Sequence, residues 1–309
     1  MNFTRLRYFA KVVDVGSMTQ AADLLNIAQP ALSQQIATLE AEVRQQLLFR
    51  TKRGVSPTEA GKTLYRHAQV ILRQCEQART DMAAESAGVS GQVSVGLAPG
   101  TAAATLALPL IRAIRTLHPG IVLYLNENYG TTLSELIMSG RMDLAVLYGN
   151  RAIHGLSFTP LLEEELFLVG PAASADPIPI AEMEGIELFL PRPYNIVRKL
   201  VDENFARAGV SFRVVAEVES AATLKAVIAD ELGLTILPAS MAREAADGRP
   251  SWCRRIVDPV IAAPLTLCQS DHLPLSEPAE VVKAILLELA AGLPADGGWQ
   301  PGTGDPGAP

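Results

Sequence analysis

Cysteine is scarce in this chain, and long apolar runs are missing. The 309 residues hold three cysteines, Cys75, Cys253 and Cys268, and two tryptophans. An odd, widely spaced set excludes a disulfide framework and fits a reducing compartment. No pair of them has metal-ligand spacing. No apolar run reaches about 18 residues, which excludes a membrane-spanning helix. The N-terminal stretch MNFTRLRYFAKVVDVGSMTQ lacks the apolar core of a signal peptide. The expectation is a cytoplasmic protein with no membrane partner. His67, His118, His154 and His272 are scattered, and the G-x-S-x-G, P-loop and G-x-G-x-x-G signatures are all wanting. Enzyme chemistry, a metal and a cofactor therefore have no residues to carry them.

Charge is also missing where it is expected. No charged residue stands between Asp23 and Glu40. Within residues 28–40, AQPALSQQIATLE, Leu32, Ile36 and Leu39 fall on one helical face. The opposite face is Pro30, Ser33, Gln34, Ala37 and Thr38. A solvated face ordinarily carries Lys, Glu and Arg, whereas amide, hydroxyl and methyl groups match the edges of base pairs. Gln donates and accepts at once, as adenine requires, and methyl groups meet the thymine methyl. A helix of 4–15 stopped by Gly16, and one of 18–25 opened by Ser17 and closed at Asn26, precede this stretch. The order is that of a helix-turn-helix. Residues 48–57, LFRTKRGVSP, predict a two-stranded wing turning at Lys52–Gly54. Arg50, Lys52 and Arg53 in the wing, with Arg5 and Arg7, are placed to hold phosphate, which supplies affinity but no sequence information. A packed helix and a solvated turn are the alternative readings of these segments taken singly. In this order, within 60 residues, they point to DNA.

The charge balance agrees. The net charge is −7, yet residues 1–90 hold 11 Lys and Arg against 8 Asp and Glu. A mildly basic end sits on an acidic body, so only the N-terminal part is fitted to a polyanion.

Thr58 is placed to cap a long helix over roughly 59–87. Leu64, Ala68, Ile71, Cys75, Ala78 and Met82 are spaced as heptads along it. Such a seam fits a partner helix; packing on the helix's own domain is the alternative. After Gly88–Gly91 the rhythm becomes strand, helix, strand, helix, with apolar strands at 93–97, 121–127, 143–149, 166–170, 187–191, 212–218 and 234–238. Continuous Val/Ile/Leu runs between helices predict buried parallel strands in two α/β lobes, the second over about 162–263. Residues 293–309, rich in Gly and Pro, predict a disordered tail. Ligands of α/β folds sit beyond strand ends at helix N-termini. Three loops answer that description: 98–104, 128–132 and 219–223. Thr101, Thr132 and Ser220 also serve as helix caps with no ligand at all, and Thr132 with Glu135 makes a capping box. None of the three loops contains arginine, so an anionic effector has little support.

The run FAKVVDVGSMTQAADLLNIAQPALSQQIATLEAEVRQQLLFRTKRGVSPTEAG resembles the winged helix-turn-helix of LysR-type transcriptional regulators. The matching residues are Ala21–Ala22, QPALSQQI (29–36), Leu39–Glu40, Leu48–Phe49–Arg50 and Thr58–Gly61. The stretches RTKRGVSPTEAGK, ILRQCEQA and SGQVSVGLAPGTAA are similar to a branch of that family that controls nitrogen assimilation. The resemblance implies a winged helix-turn-helix over 1–58, a linker and dimerisation helix with hinge over 59–91, and a two-lobed α/β domain like a periplasmic binding protein over 92–292. It implies that Gln29, Pro30, Ser33, Gln34 and Ala37 face the major groove and that Arg50 meets a phosphate. It implies an activator or repressor that works with RNA polymerase, and a homodimer or homotetramer on interrupted palindromes. An effector would meet Pro99, Gly100, Thr101, Thr131, Thr132 and Ser220. A solute-binding protein is the rival reading; it leaves the first 90 residues unexplained.

Overall fold

The structure is a computed structural model. It describes residues 2–51, 54–84, 89–149, 152–172, 174–246, 248–293 and 299–301. The chain divides into two compact units, residues 1–88 with 138–141, and residues 89–137 with 142–309.

The first unit opens with α1 (Phe3–Val15), α2 (Met18–Leu24) and α3 (Gln29–Val43). Asn2 caps α1 and Ser17 caps α2 by accepting from backbone N–H groups, and Gly16 ends α1 in the left-handed conformation. Asn26 also has positive φ, as the sequence reading requires. Pro30 sits in the first turn of α3, where its missing N–H costs nothing. Leu32, Ile36 and Leu39 are fully buried with Phe9, Val12, Ala21 and Ala22. The wing follows as β1 (Leu48–Thr51) antiparallel to β2 (Gly54–Pro57). Near its turn it is tied to the α1–α2 turn, where the Val55 N–H donates to the Gly16 carbonyl at 2.8 Å. Lys52 and Arg53 lie outside the described residues.

The long helix α4 (Glu59–Ala84) completes this unit. Thr58 caps it as expected, accepting from the Gly61 N–H at 3.0 Å and donating to the Gln46 carbonyl at 2.7 Å. Gly61 is needed for close approach: a Cβ there would lie 2.0 Å from the Leu47 carbonyl oxygen. Glu40 reaches from α3 to the same turn, one carboxylate oxygen accepting from Leu47 N–H at 2.8 Å and Leu48 N–H at 3.2 Å. These contacts give physical content to Leu39–Glu40 and Thr58–Gly61.

The second unit begins with β3 (Gly91–Leu97), α5 (Ala102–Leu117), β4 (Ile121–Glu127), α6 (Gly130–Met138) and β5 (Leu144–Tyr148). A 14-residue strand, β6 (Leu156–Val169), then crosses into the second lobe. That lobe holds β7 (Ile178–Pro179), β8 (Ile186–Leu190), α7 (Ile196–Ala208), β9 (Phe212–Glu217), α8 (Ala221–Ala229), β10 (Leu234–Pro238), α9 (Ala239–Ala245) and β11 (Cys253–Val257). The chain returns through β12 (Ala262–Ser270) to α10 (Glu277–Ala291).

The strand order is β4-β3-β5-β12-β6-β10-β8-β9. β3 runs parallel to β4 and β5, and β8 parallel to β9 and β10. The all-parallel expectation fails at the crossing strands: β12 is antiparallel to both β5 and β6, and β6 is antiparallel to β10. Their register slips between Leu265 and Thr266, opposite Pro160, which has no N–H for a ladder. The tail departs from its expectation too. Trp299–Pro301 forms β13, antiparallel to residues 162–164 of β6. Strand pairing uses backbone groups, which glycine keeps in full and proline keeps as its carbonyl alone; the residues around β13 lie outside those described.

Candidate nucleic-acid interface and cleft

The face opposite Leu32, Ile36 and Leu39 is open. Gln29, Pro30, Gln34 and Ala37 are exposed, and Ser33 is half-buried. Thr38 differs from the others on this face: its hydroxyl donates to the Gln34 carbonyl at 2.9 Å, so the helix itself uses it. Arg50 of β1 reaches α3, donating from Nη1 to Ser33 Oγ at 3.0 Å. Phosphate-type and base-type chemistry therefore meet on one surface, joined across 17 residues of chain. Phe49 beside Arg50 is 52% exposed, a large apolar side chain that the charge pattern did not single out. Arg5 is corrected. It pairs with Glu42 and donates to Gln35 at 3.0 Å, so it braces α1 against α3 rather than standing free for a phosphate.

Tyr65 on α4 donates to Asp14 of α1. Burial, and then that bond, push its hydroxyl from 10.0 to about 12. The heptad seam of α4 is divided. Leu64 packs against the core of its own unit and Ala68 is fully buried, while Ile71 is 37% exposed and Ala78 exposed. Leu64 is thus a core residue; α1 packs beside α4 and covers that turn. Cys75 is half-buried, and the side chain of Met82 lies outside those described.

In the second unit the three loops come together. Gly100, with φ +70, faces Met241 and Ala221; a Cβ there would stand 3.0 Å from the Met241 sulfur. Tyr129 donates its hydroxyl to the Glu219 carbonyl at 3.4 Å. Loops 98–104 and 128–132 therefore both reach the start of α8. Thr101 is buried, and its hydroxyl is doubly engaged, accepting from Ala103 N–H at 3.0 Å and donating to Ala98 at 2.8 Å. Ser220 accepts from Thr223 N–H at 3.2 Å as the cap of α8. Thr132 is no cap: α6 starts at Gly130, two residues earlier, which puts Thr132 inside the first turn and breaks the capping box with Glu135. Pro99 is half-buried and Thr131 exposed. Two side-chain acceptors near these loops, Asn126 Oδ1 and Glu219 Oε2, are buried without a hydrogen-bond partner among the described residues.

The floor of this region holds an acid that the sequence pattern concealed. Glu164 on β6 is 0% exposed. One of its oxygens accepts from Ala102 N–H at 2.8 Å and from the Tyr148 hydroxyl at 2.5 Å; the other accepts from Ser240 N–H at 2.8 Å. Burial, and then the charge of Glu164, raise the Tyr148 hydroxyl well above its usual range, so it remains a donor. Its neighbour Glu165 is also buried and is held by both Nε and Nη2 of Arg255. Among the described residues, no group of three or more His, Cys, Asp or Glu is placed to hold a metal, and no helix is long and apolar enough to cross a membrane.

Comparison with known proteins matches both units. Residues 3–62 match the model of the bacterial regulatory helix-turn-helix protein, lysR family, and residues 86–291 that of the LysR substrate binding domain. The chain is 49% identical over 295 residues to the nitrogen assimilation regulatory protein nac of Klebsiella aerogenes, covering 94% of this chain and 96% of that one. The nac protein of Escherichia coli K12 is 48% identical over 293 residues, covering 94% and 95%. Among solved structures, a full-length OxyR variant from Pseudomonas aeruginosa superposes with a TM-score of 0.74 at 23% identity, covering 99% and 98%. Full-length CbnR in complex with its target DNA gives 0.67 at 24% identity, covering 94% and 100%.

Proposed function

This chain belongs to the LysR family of transcriptional regulators, and from that premise we propose that it controls nitrogen-assimilation genes by reading interrupted palindromic promoter sites from the cytoplasm. The exposed, uncharged face of α3 beside Arg50 carries this reading. Gln29, Pro30, Ser33, Gln34 and Ala37 meet base edges, and Arg50 with Lys52 and Arg53 takes phosphates. Near-half identity to two nitrogen assimilation regulatory proteins, over nearly the whole of each chain, supports the choice of target genes.

The assignment of parts follows. Residues 1–58 read DNA, 59–91 form the linker and dimerisation helix with its hinge, and 92–292 form a regulatory domain like a periplasmic binding protein. The stretch of the seam from Ile71 through Cys75 and Ala78 to Met82 pairs two copies. A two-fold dimer presents two reading helices to two half-sites. Exposed Leu108, Ile111, Val122 and Tyr124 of α5 and β4 support further association into a tetramer, and RNA polymerase is the partner through which the bound protein acts. Pro99, Gly100, Thr131, Thr132 and Ser220, with Thr101 as a positioning residue, line an effector site whose loops lack arginine and which suits an uncharged or amino-bearing molecule.

Gel-shift assays on promoter fragments of nitrogen-assimilation genes test this reading. The full chain gives a specific shift at moderate salt, and the chain without residues 1–90 gives none; equal affinity for random DNA sinks the proposal. Ile71→Glu halves the mass seen by light scattering, and an unchanged mass refutes the seam.

A further inference from the structure

Glu164 makes its bonds in two lobes at once. Ala102 opens α5 of the first lobe, and Ser240 lies in the first turn of α9 of the second. Their N–H groups, 62 and 76 residues from Glu164 in sequence, converge on its two oxygens. Tyr148 adds a hydroxyl donor from the end of β5. The Ser240 hydroxyl is buried beside this group and has no hydrogen-bond partner among the described residues. Two backbone N–H donors and a buried phenol, gathered on a fully buried carboxylate, are the fittings of a carboxylate-binding site. α5 is a 16-residue helix, so its N-terminal end also favours a negative charge.

We propose that these groups form a carboxylate-binding site spanning the two lobes, and that the Glu164 side chain is its permanent occupant. The chain thereby supplies in cis the anion that fastens one lobe to the other. Small carboxylates find the position filled in the native protein, and they take it when the side chain is cut back. The ligand class is a monocarboxylate of the size of acetate. The inference is independent of whether the cleft mouth takes an effector and of which promoters are read.

Hydrogen exchange of the Ala102 and Ser240 amides, with thermal unfolding of the full-length protein in sodium acetate against sodium chloride of equal ionic strength, tests this. In the native protein both amides are protected, and acetate does no more than chloride. In Glu164→Ala both amides exchange faster together, by about tenfold or more, since each has lost a charge-assisted bond. Acetate then restores protection at both and raises the unfolding temperature saturably, whereas chloride does not. A folded Glu164→Ala on which acetate acts no better than chloride overturns the proposal, as does equal stabilisation of the native protein by acetate. Should Glu164→Ala not fold, Glu164→Gln decides. A carboxamide has one acceptor oxygen, so one of the two amides loses protection while the other keeps it; native protection at both would overturn the proposal.

Discussion

Each unit of the chain contains a carboxylate that accepts from two backbone N–H groups, and the two do so differently. Glu40 uses one oxygen for both Leu47 and Leu48, seven and eight residues away. Glu164 uses two oxygens, one for each lobe, across 62 and 76 residues. The first arrangement steadies a local turn so that the wing leaves α3 at a set place. The second fastens parts that are distant in sequence. The first unit uses its Glu40 carboxylate locally and keeps its uncharged polar face outward. The α/β unit turns Glu164 and Glu165 inward, where backbone N–H groups, Tyr148 and Arg255 satisfy them.

That contrast can be broken most severely at the short-range end. Gly61→Val would drive a side chain into the Leu47 carbonyl oxygen. Neither partner can yield, since both belong to packed backbone, so the loss is roughly 3 kcal/mol or more. Denaturant unfolding followed by hydrogen exchange locates that loss in residues 1–84 and leaves the strands of the second unit protected. Glu40→Ala comes next, at on the order of 2 kcal/mol, because two N–H groups lose their acceptor. Glu40→Gln retains most of the stability, since a single carbonyl oxygen can accept both bonds. A Glu40→Gln variant as unstable as Glu40→Ala would show that charge, rather than the acceptor, holds the turn.

The outward face yields a smaller effect on folding and a larger one on reading. Gln34→Ala leaves the unfolding temperature unchanged and removes ~1–3 kcal/mol of discrimination between specific and random DNA. Arg50→Ala weakens all sequences alike and lowers the salt dependence by about one counterion. Equal losses on specific and random DNA for Gln34→Ala would remove that residue from the reading surface. The smallest effect is a titration. With its hydroxyl at about 12, against the ordinary 10.0, folded Tyr65 holds its proton more tightly than the unfolded chain does. Its contribution is full below pH 10 and is lost as pH rises through 12. Phenolate absorbance of the native protein against a Tyr65→Phe variant follows this directly.

The short-range half of the molecule was the legible half. Gly16, Ser17, Asn26, Pro30 and Thr58 act where their chemistry places them, because caps and turns are settled by near neighbours. The apolar strands of the α/β lobes were legible too. The crossing strands were not. Glu163–Glu165 carry no local sign of burial, yet Glu164 and Glu165 are buried, and their partners Ala102, Ser240 and Arg255 stand 62 to 90 residues away. No local pattern announces such pairings. Thr132 failed for a related reason: its capping box is a sound local motif, but α6 begins at Gly130 instead. Leu64 fits a heptad seam and an amphipathic face equally, and only tertiary packing separates the two.

The bond from Val55 to the Gly16 carbonyl has a mechanical consequence. The wing is a propped beam: its strands enter at Leu48 and leave at Pro57, and beside the turn Val55 rests on the α1–α2 turn. Residues added between Thr51 and Gly54 overhang that prop and extend the reach beyond it. A change at the prop frees the turn end, and with it the distance between Arg50, which pairs with Val55, and the helix it leans on.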